Sequence, residues 1–315
     1  MTADSGRDAS AELEVCSMEI GIVGLPNVGK SALFKALTGM DVEVSNYAFT
    51  TTRPIQGSAP VPDPRLTLIG EHIPTKKYVP ATIDLVDIPA LVSGSAAGEG
   101  MGNAFLEQVR QVDAMAHVVR CFEDDDVTHV SDDLDPVRDA EAVEVELLLA
   151  DLTVFENARD KAERRARTGD AAAKKRIEVC RKAAELLESE RPLRLGTWSQ
   201  DEHRELRSLG MITMRPVLYI ANVGEDDVLG EGPLVQRLRD WVAEQQAAEA
   251  EAAGTDAGSS VERVVPICAK LEAELAELEG EDRAEMLEAM GLQEPALAVL
   301  ARALYNLLGL QSFYT

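Results

Sequence analysis

The sequence predicts an α/β fold, a mainly parallel sheet with helices on both faces, into which an antiparallel helical hairpin is inserted. Three observations predict it. Short apolar runs recur at 18–23, 81–88, 113–122, 215–223 and 261–269, and helix-patterned segments separate them. A glycine-rich octapeptide stands between the first run and the helix after it. The gap between the third and fourth runs is too long for one crossover, and charged, helix-patterned sequence fills it.

Taken in order, Met18 to Val23 (MEIGIV) reads as a short buried strand. Residues 24–31, GLPNVGKS, then match G-x-x-x-x-G-K-S/T without a mismatch. Ala32, Leu33 and Leu37 recur at helical spacing until Gly39 closes the helix. Between a strand and a helix, the backbone N–H groups of such a loop point at phosphates, and the helix dipole favours negative charge there. Asn27, Val28, Gly29, Lys30, Ser31 and Ala32 are therefore expected to bind a nucleotide. Lys30 neutralises the β- and γ-phosphates and is a catalytic candidate, and Ser31 places its hydroxyl on Mg²⁺. These features describe a P-loop NTPase of the G-protein-like type.

The loop NYAFTTTRP (46–54) is polar and rich in threonine. One of its hydroxyls, assigned to Thr51, is expected to complete the metal shell while the γ-phosphate is present and to leave after hydrolysis, which makes the loop a switch. The strand ATIDLVDIPA (81–90) ends on Asp87, expected to hold Mg²⁺; Asp84, inside the strand, is the competing candidate. After the fourth strand, ANVGE (221–225) carries Asn222 and Glu225 in an N-x-x-E spacing, with Val223 where the guanine-specific N-K-x-D pattern has lysine. The longer carboxylate and the missing lysine weaken a guanine site, because mismatched donors and acceptors stay unpaired; adenine becomes plausible. ICAK (267–270) follows the last strand and brings Cys268, Ala269 and Lys270 to the base.

The inserted hairpin is expected over 136–205. Its first helix runs from Asp139 to about Arg167 with Val143, Leu147, Ala150 and Val154 on one stripe; Gly169 breaks it; the second runs from Ala171 to about Glu190 with Ile177, Ala184 and Leu187 facing one way. Lys161, Arg164, Arg165, Arg167, Lys174, Lys175, Arg176, Arg181 and Lys182 cluster around its tip. They read equally well as a contact for an RNA backbone or as a helix surface laced with Glu–Lys and Glu–Arg pairs. The NTPase core accordingly divides into 18–135 and 206–315, after an acidic, disordered tail over 1–17.

The chain has 315 residues, 45% of them hydrophobic, and a formal charge of −25, which opposes nonspecific adsorption to nucleic acid and requires a local basic patch for any RNA partner. Four cysteines without C-x-x-C spacing give neither a disulfide framework nor a zinc site. The apolar runs are too short for membrane spans and the N-terminus lacks signal-peptide features, so a monomer in the cytoplasm is expected.

With these motifs in hand, the chain from Met18 onward resembles the YchF or Obg-like ATPase family. GIVGLPNVGKSALF, the NY-x-F-x-T segment from Asn46 to Thr51, VPDPRL (61–66), DI-x-x-LV (87–92), GEG-x-GN (98–103), HVVRCFEDDD (117–126) and ANVGE follow that family's order and wording. The resemblance implies ATP hydrolysis with GTP tolerated, and association with ribosomes or ribosomal RNA. It also implies a hydrophobic residue, Leu91, in place of the usual catalytic glutamine, and a water-positioning role for His129 after the FEDD turn. His117, inside an apolar strand, reads as a core residue. Asn27 matches P-loop NTPases that use K⁺ beside the phosphates, which makes K⁺ a candidate second cation.

Three departures from the family pattern stand out. Ala90 replaces the usual glycine after Pro89 and stiffens that hinge; Ala32 replaces a threonine; and the chain stops at LQSFYT, where the family's C-terminal TGS domain should begin. The TGS domain is therefore expected to be absent, which weakens the ribosome expectation. Two alternatives to an ATPase are a GTPase of the same fold and a nucleotide-binding scaffold with negligible turnover.

Overall fold

Six strands form one sheet in the order β2-β3-β1-β4-β5-β6 in a computed structural model that describes residues 18–40, 55–73, 77–90, 101–124, 133–254, 262–278 and 280–312, the side chains of 101–104 excepted. The strands are β1 (Glu19–Val23), β2 (Ile55–Pro60), β3 (Thr82–Asp87), β4 (Ala114–Cys121), β5 (Val217–Val223) and β6 (Val264–Ile267). All neighbours run parallel except β2, which pairs antiparallel with β3. Every residue of β4 and β5 is buried, because helices cover both faces of these central strands; hence their unbroken apolar runs.

The edge strand β2 is an addition to the five expected strands. Its sequence, IQGSAP, alternates inward and exposed positions, of which Ala59 is fully buried, and carries no apolar run, so only pairing with β3 defines it.

Ten helices accompany the sheet among the described residues: α1 (Lys30–Thr38), α2 (Pro64–His72), α3 (Met101–Val109), α4 (Pro136–Ala166), α5 (Ala171–Glu188), α6 (Gln200–Ser208), α7 (Pro233–Ala253), α8 (Ala269–Glu277), α9 (Gly280–Ala289) and α10 (Ala296–Leu307). Helices α1, α8 and α10 pack together against the sheet, as do α4 and α7. None of these helices is long and apolar enough to cross a membrane.

Helices α4 and α5 pair around the turn at Gly169. Asp135 caps α4 by accepting from the N–H groups of Val137 (3.1 Å) and Arg138 (3.3 Å), and Pro136 supplies the first helical position. Asp170 caps α5 in the same way, at 2.9 Å from Ala172 N and 3.2 Å from Ala173 N. The expected stripes are corrected in one respect. Val143, Leu147 and Ala150 face the main core, whereas a second cluster joins Leu148 and Phe155 of α4 to Val179, Cys180, Ala183 and Leu187 of α5; Ile177 and Ala184 are only half-buried. Helix α4 thus carries two apolar faces.

Buried polar contacts fix the hairpin's root. Asp151, wholly buried, accepts from Ile212 N (3.1 Å), Thr213 N (2.9 Å) and Thr213 Oγ1 (2.8 Å), and Arg110 lies 3.5 Å away. Arg194, just after α5, pairs with Glu144 of α4 and, at 3.1 Å, with Glu249 of α7, which also holds Arg263 at 2.5 Å.

Much of the basic cluster is spent within the chain. Arg165 pairs with Asp170 (2.9 Å), Lys175 with Asp201 (3.5 Å), Arg181 with Glu185 (2.6 Å), Lys182 with Glu202 (3.0 Å), and Arg176 with Glu205. Lys161, Arg164, Arg167 and Lys174 are exposed and have no ion-pair partner among the described residues.

Candidate nucleotide site

The loop from Gly24 to Gly29 joins the carboxyl end of β1 to the first turn of α1, at the centre of the sheet. A Cβ at Gly24 would stand 2.5 Å from the carbonyl oxygen of Val118 on β4, so the loop leaves the sheet along a path open only to glycine. Asn27 takes a left-handed φ of 60°, a conformation its short side chain tolerates.

Lys30 is buried, and its Nζ donates to the carbonyl of Leu25 at 2.7 Å, folding the side chain back over the loop. Burial brings its pKa from 10.5 down to about 8, against the opposing pull of the Asp87 carboxylate. The ammonium is thus held desolvated, and an anion beside it would stabilise it.

Ser31 Oγ donates to Asp87 Oδ2 at 3.0 Å, bringing together two residues 56 positions apart. Parallel pairing sets this up: Ile22 of β1 lies opposite Asp87 at the end of β3. The other carboxylate oxygen, Oδ1, is buried with no hydrogen-bond partner among the described residues. Burial raises the pKa of Asp87, while the Ser31 hydroxyl and the Lys30 charge lower it. A hydroxyl and an orphaned carboxylate oxygen are hard donors that suit Mg²⁺. Asp84 accepts from Ser58 Oγ at 2.5 Å on the β2 side of the sheet.

Asn222, buried at the end of β5, binds two loops at once. Its Nδ2 donates to the carbonyl of Val28 at 2.9 Å, and its Oδ1 accepts from Ala269 N at 3.1 Å. The side chain expected to bind the nucleotide thus straps the phosphate loop to the β6–α8 loop. Val223 and Cys268 have buried side chains, 2% and 4% exposed, which leaves only their backbone toward the loops. Glu225 and Lys270 sit at the surface and pair with each other at 2.5 Å, and Ala269 is buried at the start of α8. Ala32 is half-buried in α1. Thr51, Leu91 and His129 lie outside the described residues.

His117 is a core residue. It is buried beside Tyr219, ring centroids 5.4 Å apart, and burial takes its pKa down to about 3.

Arg120 at the end of β4 escaped the sequence reading. It is 4% exposed, and its guanidinium donates from Nε to the carbonyl of Phe122 and from an Nη to that of Asp124, both at 3.1 Å, while lying 4.6 Å above the Phe122 ring. The only sequence signal is a charged residue inside an otherwise apolar strand end.

The family model described as 50S ribosome-binding GTPase matches residues 19–151. The chain is 42% identical over 295 residues to the ribosome-binding ATPase YchF of Haemophilus ducreyi, covering 94% of this chain and 77% of that protein. It is 40% identical over 301 residues to the same-named protein of Bacillus subtilis, covering 95% and 78%. Among solved structures it is similar to the Schizosaccharomyces pombe YchF GTPase, with a TM-score of 0.73 and 30% identity over 93% of this chain and 76% of that one.

Proposed function

From the premise that this chain belongs to the YchF family, we propose that it is a Mg²⁺-dependent nucleoside triphosphatase that prefers ATP to GTP and acts as a switch on ribosomes in the cytoplasm. The observation that carries the chemistry is the meeting of Ser31 and Asp87 at 3.0 Å beside the buried ammonium of Lys30. In this reading the amides of the Gly24–Gly29 loop and Lys30 grip the β- and γ-phosphates, while the Ser31 hydroxyl and Asp87 carboxylate hold Mg²⁺, joined by Thr51. Mg²⁺, when bound, offsets charge on the phosphate oxygens. His129 positions the attacking water in the absence of a glutamine at position 91, and K⁺ beside Asn27 is a second cation to test.

Two contacts support adenine over guanine. Ala269 N donates to Asn222, so that amide is already committed before a guanine O6 could use it. Glu225 is held by Lys270 rather than left open to the N1 and N2 donors of guanine. The relatives' printed names differ on this point, one ATPase and another GTPase, so the base preference needs its own measurement.

Phosphate release from ATP and from GTP, each with Mg²⁺ and with a Lys30→Ala control, tests the proposal. ATP turnover above the control, with ATP displacing a fluorescent nucleotide more tightly than GTP, is expected. Release equal to the control points to a scaffold without turnover, and tighter GTP binding to a GTPase. The ribosome arm is read by ATP-dependent co-sedimentation with ribosomes, repeated after neutralising Lys161, Arg164, Arg167 and Lys174.

A further inference from the structure

We infer that Arg120 is a positioning residue for the base end of the nucleotide site, holding Phe122 beside the 222–225 loop. The inference rests on the nucleotide-binding reading above and adds to it a residue that touches no phosphate. It begins with register: β4 and β5 pair in parallel so that Arg120 lies opposite Asn222 and Cys121 opposite Val223. The next residues along, Phe122 and Gly224, therefore leave the sheet side by side. A Cβ at Gly224 would stand 3.7 Å from the Cβ of Phe122.

Among the described residues, 122–124 lie past the end of β4, outside the sheet's ladder, where carbonyls are met by other donors. Arg120 supplies them. One guanidinium spans the turn, binding the carbonyls of Phe122 and Asp124 at 3.1 Å each, and its planar face lies 4.6 Å above the Phe122 ring. A lysine could not make both bonds and the stacked contact together. The turn is thereby fixed in one shape next to Asn222, whose own amide ties the phosphate loop to Ala269. Phe122 is half-buried at the carboxyl edge of the sheet, where this fold receives ligands. An apolar ring there offers a purine a flat surface, whereas phosphate has no use for it.

The consequence is a separation of effects between the two ends of the ligand. Arg120→Gln, Arg120→Lys and Phe122→Leu should each weaken binding of Mg²⁺–ATP by about five- to tenfold. Binding of inorganic tripolyphosphate with Mg²⁺, which carries the anionic end and no base, should change by less than about twofold. Both ligands are read by competition against one fluorescent ATP analogue on the full chain, with thermal midpoints recorded for every variant. A selective loss of ATP supports the inference. Equal losses of both ligands, or no loss of either, overturn it, because a merely structural role would not tell base from phosphate. Should Arg120→Gln fail to fold, the ratio for Phe122→Leu decides. Wild-type protein that binds neither ligand would instead sink the nucleotide reading itself.

Discussion

The side-chain amide of Asn222 occupies the space that a Cβ on Gly29 would need: the ideal Cβ position lies 2.3 Å from Nδ2, and Gly29 has a φ of 98°. Glycine at the last loop position thus serves the strap across the sheet as well as the turn into α1.

Gly29→Ala should therefore be costly twice, through a left-handed alanine and through eviction of an amide whose partners are buried. A loss of roughly 2–4 kcal/mol in unfolding free energy is expected. Denaturant titration checks the stability and calorimetry with ATP the binding; a variant within about 0.5 kcal/mol of wild type would refute the packing relationship.

Asp87→Asn should separate stability from activity. Burial raises the pKa of Asp87 against the lowering pull of the Ser31 hydroxyl and the Lys30 charge, so the carboxylate's charge is held there at a cost to the fold. The nucleotide-free variant should unfold at the same temperature as wild type or above it, while Mg²⁺-stimulated ATP hydrolysis falls at least about tenfold. A marked fall in the nucleotide-free midpoint would show that the carboxylate charge stabilises the fold.

The depressed pKa of Lys30 gives a pH signature of definite sign. Unfolded lysine titrates near 10.5 and the folded group near 8, so between these values the unfolded chain holds the extra proton. The contribution of this group to stability is then complete above 10.5 and is lost as pH falls to about 8. A bound triphosphate reverses the preference by stabilising the ammonium. Calorimetry at about pH 8.5 in buffers of different ionisation heat should show net proton uptake on binding Mg²⁺–ATP, absent from a Lys30→Arg variant. Proton release from wild type would contradict the assignment.

How much of this was legible follows from the range of each interaction. The strand–loop–helix around Lys30, the strand that ends on Asp87 and the paired helices α4 and α5 rest on local spacing and on position along a strand, which a sequence displays. The strap made by Asn222 depends on Val28 and Ala269, 194 and 47 positions away, so its residue type was visible but its partners were not. The burial of the Val223 and Cys268 side chains comes from helices covering the sheet, which the loop motifs do not display. Strand β2 has no pattern of its own. Asp151 and Arg120 looked like ordinary charged residues because their donors and acceptors come from distant or irregular backbone.

Asp151→Ala should unfasten the hairpin root. It strands the N–H groups of Ile212 and Thr213 and removes a carboxylate facing Arg110, for an expected loss of about 3–5 kcal/mol. Urea unfolding followed by Trp198 and Trp241 fluorescence should register it at both sites, since one lies in the 193–198 turn and the other on α7. A loss under about 1 kcal/mol would mean the root is held by apolar packing alone.

That rooting has a mechanical corollary. The 31 residues of α4 extend for about 46 Å, and α5 braces them from the side along a shared apolar seam. The 15 residues beyond the Asp151 clamp project for about 22 Å and, stiff along their length, behave as a pointer: a tilt of about 5° at the clamp sweeps the far end through about 2 Å. A shift at the sheet too small to see beside a phosphate would there be enough to part a hydrogen bond.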